Sequence, residues 1–104
     1  MNVTEFSNWY EELPILAYGE LSDEEVLDAF TIILEWKQKG IFISNNIPDE
    51  RFTLHEYWLF LGLLSNCIEY GSSPRGGWLT DFGVNVLQFL KSGKHLDYLN
   101  KGCQ

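Results

Sequence analysis

Hydrophobic residues recur at helical spacing along most of this chain, and side-chain signals mark where the helices start and stop. The first predicted helix covers about Thr4 to Leu13, with Thr4 as its N-cap and Pro14 as its stop. The second is the clearest, because Ser22 and Glu25 form a capping box and Gly40 ends the helix. Its apolar stripe (Val26, Phe30, Ile33, with Lys37 in line) opposes a polar face (Glu24, Asp28, Thr31, Glu35, Gln38).

Three further helices are predicted in the second half of the chain. The third runs from a capping box at Thr53 and Glu56 to Tyr70, and its middle is apolar nearly all round, which is typical of a central helix. A loop of turn-forming residues, Gly71 to Gly77, follows it. The fourth helix starts at Leu79 or is capped by Thr80 and ends at Gly93, and a short fifth covers Lys94 to Asn100.

These elements predict an all-α fold, a single compact bundle of four to five helices around the central apolar helix at about 53–70. Residues 1–104 form one helical domain in this interpretation, because the chain is long enough to bury a core and contains no linker or repeat. The segment Ile41 to Ile47 has strand-like residues but no evident pairing partner, so we expect an extended connector and leave a strand open.

Charge is distributed unevenly between the two parts of the chain. Residues 1–36 contain nine carboxylates and no Lys or Arg, whereas the rest holds six carboxylates and seven basic side chains. A block of one sign without neighbouring cations indicates a cationic partner, although solubility alone would also explain it. The same balance argues against nucleic-acid binding, which needs clustered Lys and Arg.

Composition limits the setting in which we expect the protein to act. No stretch reaches the ~20 apolar residues that cross a bilayer, so we expect no membrane association. The N-terminus lacks the features of a secretory signal, and the two cysteines, Cys67 and Cys103, suggest a reduced cytoplasmic location. A disulfide between them stays possible if the tail folds back.

Residues suited to catalysis are few, and we expect neither enzymatic activity nor a cofactor or metal. His55-Glu56 starts a zinc-protease motif, but Leu59 stands where its second histidine belongs. Cys67 fits a small core residue better than a nucleophile. The glycine-rich loop lacks the Lys-Ser/Thr ending of a phosphate-binding loop, so it is an ordinary connection or a binding loop that presents Arg75.

A small, acidic, helical chain of this kind resembles the bacterial immunity proteins, and Gly76 to Leu90 (GGWLTDFGVNVLQFL) resembles the C-terminal helix of several small helical immunity families. The resemblance is closer to the contact-dependent growth inhibition group than to the colicin group. It implies a stoichiometric inhibitor, monomeric when free, that neutralises a cognate basic nuclease toxin. The alternatives are an acidic adaptor or regulatory subunit for another basic protein, or a DNA-mimic inhibitor.

The residues expected to contact the partner combine the carboxylates with the tyrosines among them. Tyr and Trp are enriched at interfaces because they offer rigid area with a polar group. The predicted set is Tyr10, Glu11, Glu12, Tyr18, Glu20, Asp23, Glu24, Asp28 and Glu35. Within it, Asp23 and Glu24 also serve the dipole of their own helix.

Overall fold

The structure is a computed structural model and describes residues 1–14, 21–43, 47, 49–51, 53–71, 73 and 75–102. Within these residues the chain forms five helices and a two-stranded antiparallel sheet. The elements, in order, are α1 (Val3–Glu11), α2 (Asp23–Gln38), α3 (Leu54–Leu63), β1 (Ile68–Glu69), β2 (Trp78–Leu79), α4 (Asp81–Lys91) and α5 (His95–Gly102). The Cα radius of gyration is 13.3 Å, the value of a compact domain of this length. The fold is mostly helical, as predicted, but it is not all-α.

Side-chain caps begin the helices where the sequence signals placed them, with one exception. Ser22 and Thr53 each form the predicted capping box at the start of α2 and α3. The N-cap of α1 is Asn2 and not Thr4, because Asn2 Oδ1 accepts a 2.8 Å hydrogen bond from the amide of Glu5 and the Glu5 carboxylate accepts one from the amide of Asn2. An Asn-x-x-Glu box satisfies two backbone N–H groups that a cap at Thr4 would leave exposed.

A β-hairpin replaces the last turns predicted for α3. The helix ends at Leu63 and not at Tyr70, and Ile68 and Glu69 pair with Leu79 and Trp78 across the glycine-rich loop. Periodicity does not distinguish a buried strand from a buried helix in a short apolar run, and here the backbone pairing with residues nine and eleven positions away decides.

The start of α4 is fixed against the turn that precedes β1. The Thr80 amide donates to the Cys67 carbonyl at 2.9 Å, and its hydroxyl donates to the Asn66 carbonyl at 2.8 Å while accepting from the Gly83 amide at 3.0 Å. A Cβ added to Gly83 would lie inside 3.0 Å of the Cys67 backbone. A glycine is therefore required where helix and turn meet.

The core lies around α2 and not around α3. Helix α2 packs against α3, α4 and β2. It contributes the largest group of buried side chains, Val26, Leu27, Ala29, Phe30, Ile33, Leu34, Trp36 and Lys37. In α3, by contrast, Trp58 is 36% exposed and His55 is exposed. The prediction of a central apolar helix at about 53–70 is therefore wrong, because one face of α3 meets solvent.

Lys37 is buried on the apolar stripe of α2, at 1% exposure. Its Nζ donates to the Tyr57 hydroxyl at 2.7 Å and to the Gly76 carbonyl at 2.5 Å, and it lies 5.3 Å from the centre of the Tyr57 ring. Burial lowers the pKa of Lys37 to about 8. The side chain joins α2 to α3 and to the loop before β2, and its charge is withdrawn from the surface.

The connector after α2 partly follows its prediction. Ile43 is fully buried and its amide donates to the Arg75 carbonyl at 2.7 Å, whereas Phe42 is 61% exposed. Ile41 to Ile43 contain no strand, and residues 44–46 and 48 lie outside the described part of the chain. None of the helices in the described ranges is long and apolar enough to span a bilayer.

Candidate functional site

Four exposed carboxylates form a ridge on the first turn and a half of α2. We call Asp23, Glu24, Glu25 and Asp28 the acidic ridge. The sequence places them there for a local reason, since acidic side chains in a first turn interact favourably with the helix dipole. Glu25 is partly engaged, because its Oε1 accepts the Ser22 amide at 3.2 Å. The ridge nevertheless presents its charges to solvent on one edge of the fold.

Basic side chains from later in the chain neutralise two of the predicted carboxylates. Arg51 contacts Asp28 at 2.8 Å, with both side chains more than half exposed, and Lys91 contacts Glu35 at 3.3 Å. Arg51 also binds Asp49 and lowers the pKa of that carboxyl through their hydrogen bonds. The view of an acidic block without cations is therefore wrong for Asp28 and Glu35, because folding supplies a cation that is distant in sequence to each.

Two tyrosines join carboxylates of this region to the core. The Tyr10 hydroxyl donates to Asp23 Oδ1 at 2.8 Å, and the Tyr98 hydroxyl donates to Glu11 Oε1 at 3.4 Å. Burial, followed by the bond to Asp23, raises the pKa of Tyr10 well above its ordinary value. Burial and the nearby Glu11 charge raise the pKa of Tyr98. Both phenols therefore remain protonated donors that hold a carboxylate in place.

Tyr10 itself does not belong to the surface of the candidate site. Its side chain is 3% exposed and packs against Phe6, Phe30 and Tyr98. A ring in the core cannot contact a partner without local opening, so its role is to position Asp23. This corrects the prediction that Tyr10 is a contact residue.

Three grooves lined by described residues flank the acidic ridge. The largest, of about 570 Å³, lies between α2 and α5 and ends at Leu90 of α4. A second, of about 350 Å³, lies between α1 and α5 and is lined by Glu11, Asp23 and Tyr98 among others. A third, of about 260 Å³, lies between α2 and α3 and contains Arg51. Carboxylates line all three, so the ridge is the shared wall of the grooves beside it.

Three of the predicted contact residues, Asp23, Glu24 and Asp28, belong to the ridge, and Glu11 lines a groove beside it. Glu11, Glu12, Asp23, Glu24 and Asp28 are exposed. Glu35 is twelve residues beyond Asp23, about 18 Å along the helix, where it pairs with Lys91. Tyr18 and Glu20 lie outside the described residues.

Sequence reasoning missed the contribution of α5 to these grooves. His95, Leu96 and Leu99 line the groove between α2 and α5, and Leu96 is 53% exposed. The helical spacing of Leu96 and Leu99 was a signal for one apolar face. It did not reveal that the face lies opposite the carboxylates of α2.

Cys67, a nucleophile candidate in the sequence, lies in the core. Cys67 is fully buried, and burial raises the pKa of its thiol to about 12, so it is not a nucleophile at neutral pH. Among the residues that the structure describes, no group of three His, Cys, Asp or Glu side chains is arranged to hold a metal ion. Cys103 lies outside those residues.

Arg75 of the glycine-rich loop packs within the molecule. Its guanidinium lies 5.8 Å from the centre of the Trp58 ring, and its Nη1 donates to the Ile43 carbonyl at 3.4 Å. The side chain therefore fastens the loop to α3 and to the connector after α2.

Searches of protein-family models, of curated proteins and of solved structures found no match for this chain.

Proposed function

We propose that this protein binds and neutralises a cationic nuclease toxin as a stoichiometric inhibitor, an immunity protein of the kind that the sequence resembles. The observation that carries the proposal is the acidic ridge. Its carboxylates are exposed, Asp23 shares a groove with Glu11, and grooves with apolar side chains lie beside the ridge. A basic surface that binds phosphates is the complement of such an edge.

The charge of the protein favours fast capture of a basic partner. The net charge is −8, and the buried Lys37 does not screen the ridge at the surface. Complementary charge steers encounter and raises association rates by about 10- to 1,000-fold at low ionic strength. Speed matters for an inhibitor of this kind, because each free toxin molecule acts on many substrates.

In this proposal the protein acts as a binding partner and not as an enzyme, without a cofactor or metal, in the cytoplasm where a nuclease meets its substrate. It is a monomer until it meets the toxin, since copies with eight excess negative charges repel one another. Neither nucleic acid nor a membrane is a partner. The alternative function, an adaptor for a different basic protein, would use the same acidic surface. The identity of the bound partner distinguishes the two functions.

We expect a toxin gene with a nuclease domain directly upstream of this gene. The test is association with that domain, measured by stopped-flow fluorescence at several salt concentrations. The variant E24K/D28K reverses two ridge charges and leaves Asp23 in place, because Asp23 holds Tyr10. We expect its association rate to fall by about tenfold or more at low salt, with a weaker salt dependence. Nuclease inhibition should be stoichiometric for the wild type.

Glu69→Lys, compared with the single variant E24K, is the matched control for charge, because each changes the net charge by two units. Glu69 is exposed on β1 and bonds only Trp78 Nε1 among the contacts of the described side chains. The association rate of E69K should stay close to that of the wild type. Equal rates for E24K/D28K and the wild type would remove the ridge from the interface. A nuclease that stays active with excess protein would refute the proposed function.

A further inference from the structure

The groove between α2 and α5 has one charged wall and one apolar wall. Glu24, Asp28 and Thr31 follow one another along α2 at intervals of four and three residues, which places them on one face. Leu96 and Leu99 stand opposite, three residues apart on α5. The complete lining is Glu24, Glu25, Asp28, Thr31, Leu90, His95, Leu96 and Leu99, all in the described part of the chain.

Leu96 differs from the other large exposed apolar side chains. Trp58 lies beneath Arg75, and Trp78 bonds Glu69 through its Nε1. Phe42, the third, lies on the connector after α2, beside Gly76. Among the exposed apolar side chains in the described part of the chain, Leu96, at 53% exposure, lines a groove whose far wall is acidic. A groove with one apolar and one charged wall is the complement of an amphipathic partner.

The charges in the groove favour a basic occupant. Arg51 approaches Asp28 from the α3 side, where both line the other groove of α2, and it contacts Oδ2. Glu24 has no cation within 4 Å among the described residues. Burial lowers the pKa of His95 from 6.5, so its ring is neutral near pH 7 and does not repel a cation.

The dimensions favour a helical occupant. From Glu24 to Thr31 the acidic wall extends seven residues, about 10 Å or two helical turns. An amphipathic helix presents apolar side chains three and four residues apart on one face, and lays that face into a groove of this kind. A second copy of this chain does not fit, since its strong negative charge would repel the acidic wall.

We propose that the groove between α2 and α5 receives a basic amphipathic helix of the partner, with aliphatic side chains against Leu96 and Leu99 and Lys or Arg side chains against Glu24 and Asp28. The inference rests on the proposed function only in taking the partner to be a basic protein. It adds the type of element that binds and assigns Leu96 as the apolar anchor.

A pair of synthetic peptides tests the groove without any toxin. One, of roughly 18 residues, carries leucines at helical three- and four-residue spacing with lysines on the opposite face, and the other has the same composition in scrambled order. We expect the ordered peptide to bind about tenfold more tightly by calorimetry. Its NMR shift changes should centre on residues 24–31 and 95–99.

Two serine variants distinguish specific binding in the groove from non-specific hydrophobic binding to the protein surface. L96S should weaken binding of the ordered peptide about tenfold, whereas F42S, at a more exposed apolar site outside the groove, should leave it unchanged. Equal binding of the two peptides, or equal effects of the two variants, would overturn the proposal.

Failure of the groove and failure of the proposed function give different results. If the ordered peptide binds as expected but the nuclease is neither captured nor inhibited, the groove is a helix-binding site and the proposal of a toxin inhibitor is wrong. If L96S and the wild type inhibit the nuclease equally and the peptide does not bind, the protein is a toxin inhibitor and the proposal of a helix-binding groove is wrong.

Discussion

Replacing Lys37 with Met should make the stability difference between variant and wild type depend on pH. Lys37 is 1% exposed, and burial lowers its pKa from 10.5 to about 8. In the unfolded chain the ammonium is hydrated and keeps its ordinary pKa. Between about pH 8 and 10.5 the unfolded state therefore holds a proton that the folded state has released.

The sign and size of the effect follow from that difference. Because the unfolded state binds more protons in this window, the contribution of Lys37 to the free energy of unfolding rises with pH, and it is constant below about pH 7. The pKa change corresponds to about 3 kcal/mol when complete. About 2 kcal/mol of it accumulates between about pH 7 and pH 9.5.

Other groups also titrate in this range. The quantity to follow is therefore the difference in the free energy of unfolding between the wild type and K37M at each pH. Burial raises the pKa of the Cys67 thiol to about 12 and also raises the pKa of Tyr57. The stabilisation that each group contributes to the fold therefore falls as pH rises and the group ionises in the unfolded chain. Those losses oppose the gain from Lys37 in the wild type. The loss from Cys67 is common to the wild type and K37M, and subtraction removes it. Tyr57 contacts Lys37 and is affected by the substitution, but an unfolded tyrosine ionises little below pH 9.5 and accounts for only about 0.2 kcal/mol.

The assay is urea unfolding followed by tryptophan fluorescence at about pH 7, 8 and 9.5. K91M is the matched control, because the Lys91 side chain is 55% exposed and also lies at the end of a helix. We expect the wild type to gain about 2 kcal/mol relative to K37M across the range, and K91M to stay within about 0.5 kcal/mol of a constant offset. Parallel curves for K37M and the wild type would refute the account of a buried, titrating lysine.

Two further substitutions test the packing. G83A should lower the free energy of unfolding by about 3 kcal/mol or more, because its methyl group would overlap the Cys67 backbone. A loss of less than about 1 kcal/mol, measured by urea unfolding, would contradict this close approach. L61A should lower the free energy of unfolding by about 2–5 kcal/mol, because Leu61 is 3% exposed. W58A should lower it clearly less, because Trp58 is 36% exposed. If calorimetric melting ranks the two variants in the opposite order, the wrong face of α3 has been assigned to the core.

Local chemistry explains which features of the fold could be predicted. The capping boxes at Ser22 and Thr53 each involve residues three positions apart, so their signals are complete within one turn. The early end of α3 was not predictable in the same way. It depends on the pairing of Ile68 with Leu79, for which the visible signal was a turn-rich loop between two short apolar runs.

The candidate site divides along the same line. The exposed position of Glu24 and Asp28 follows from the period of α2, because both oppose its apolar stripe. The burial of Tyr10 and the pairing of Asp28 with Arg51 involve contacts between residues 13 and 23 positions apart. No pattern along the chain encodes such distances.

The sequence by itself determined a mostly helical fold, the limits of α2 and the concentration of negative charge in the first third, because these depend on composition and on neighbours within one or two helical turns. Only the tertiary structure decided that α2 and not α3 supplies most of the core, that Lys37 is buried, and that Leu96 lies opposite Glu24. Those outcomes depend on which apolar faces pack together, and packing is a property of the whole set of elements.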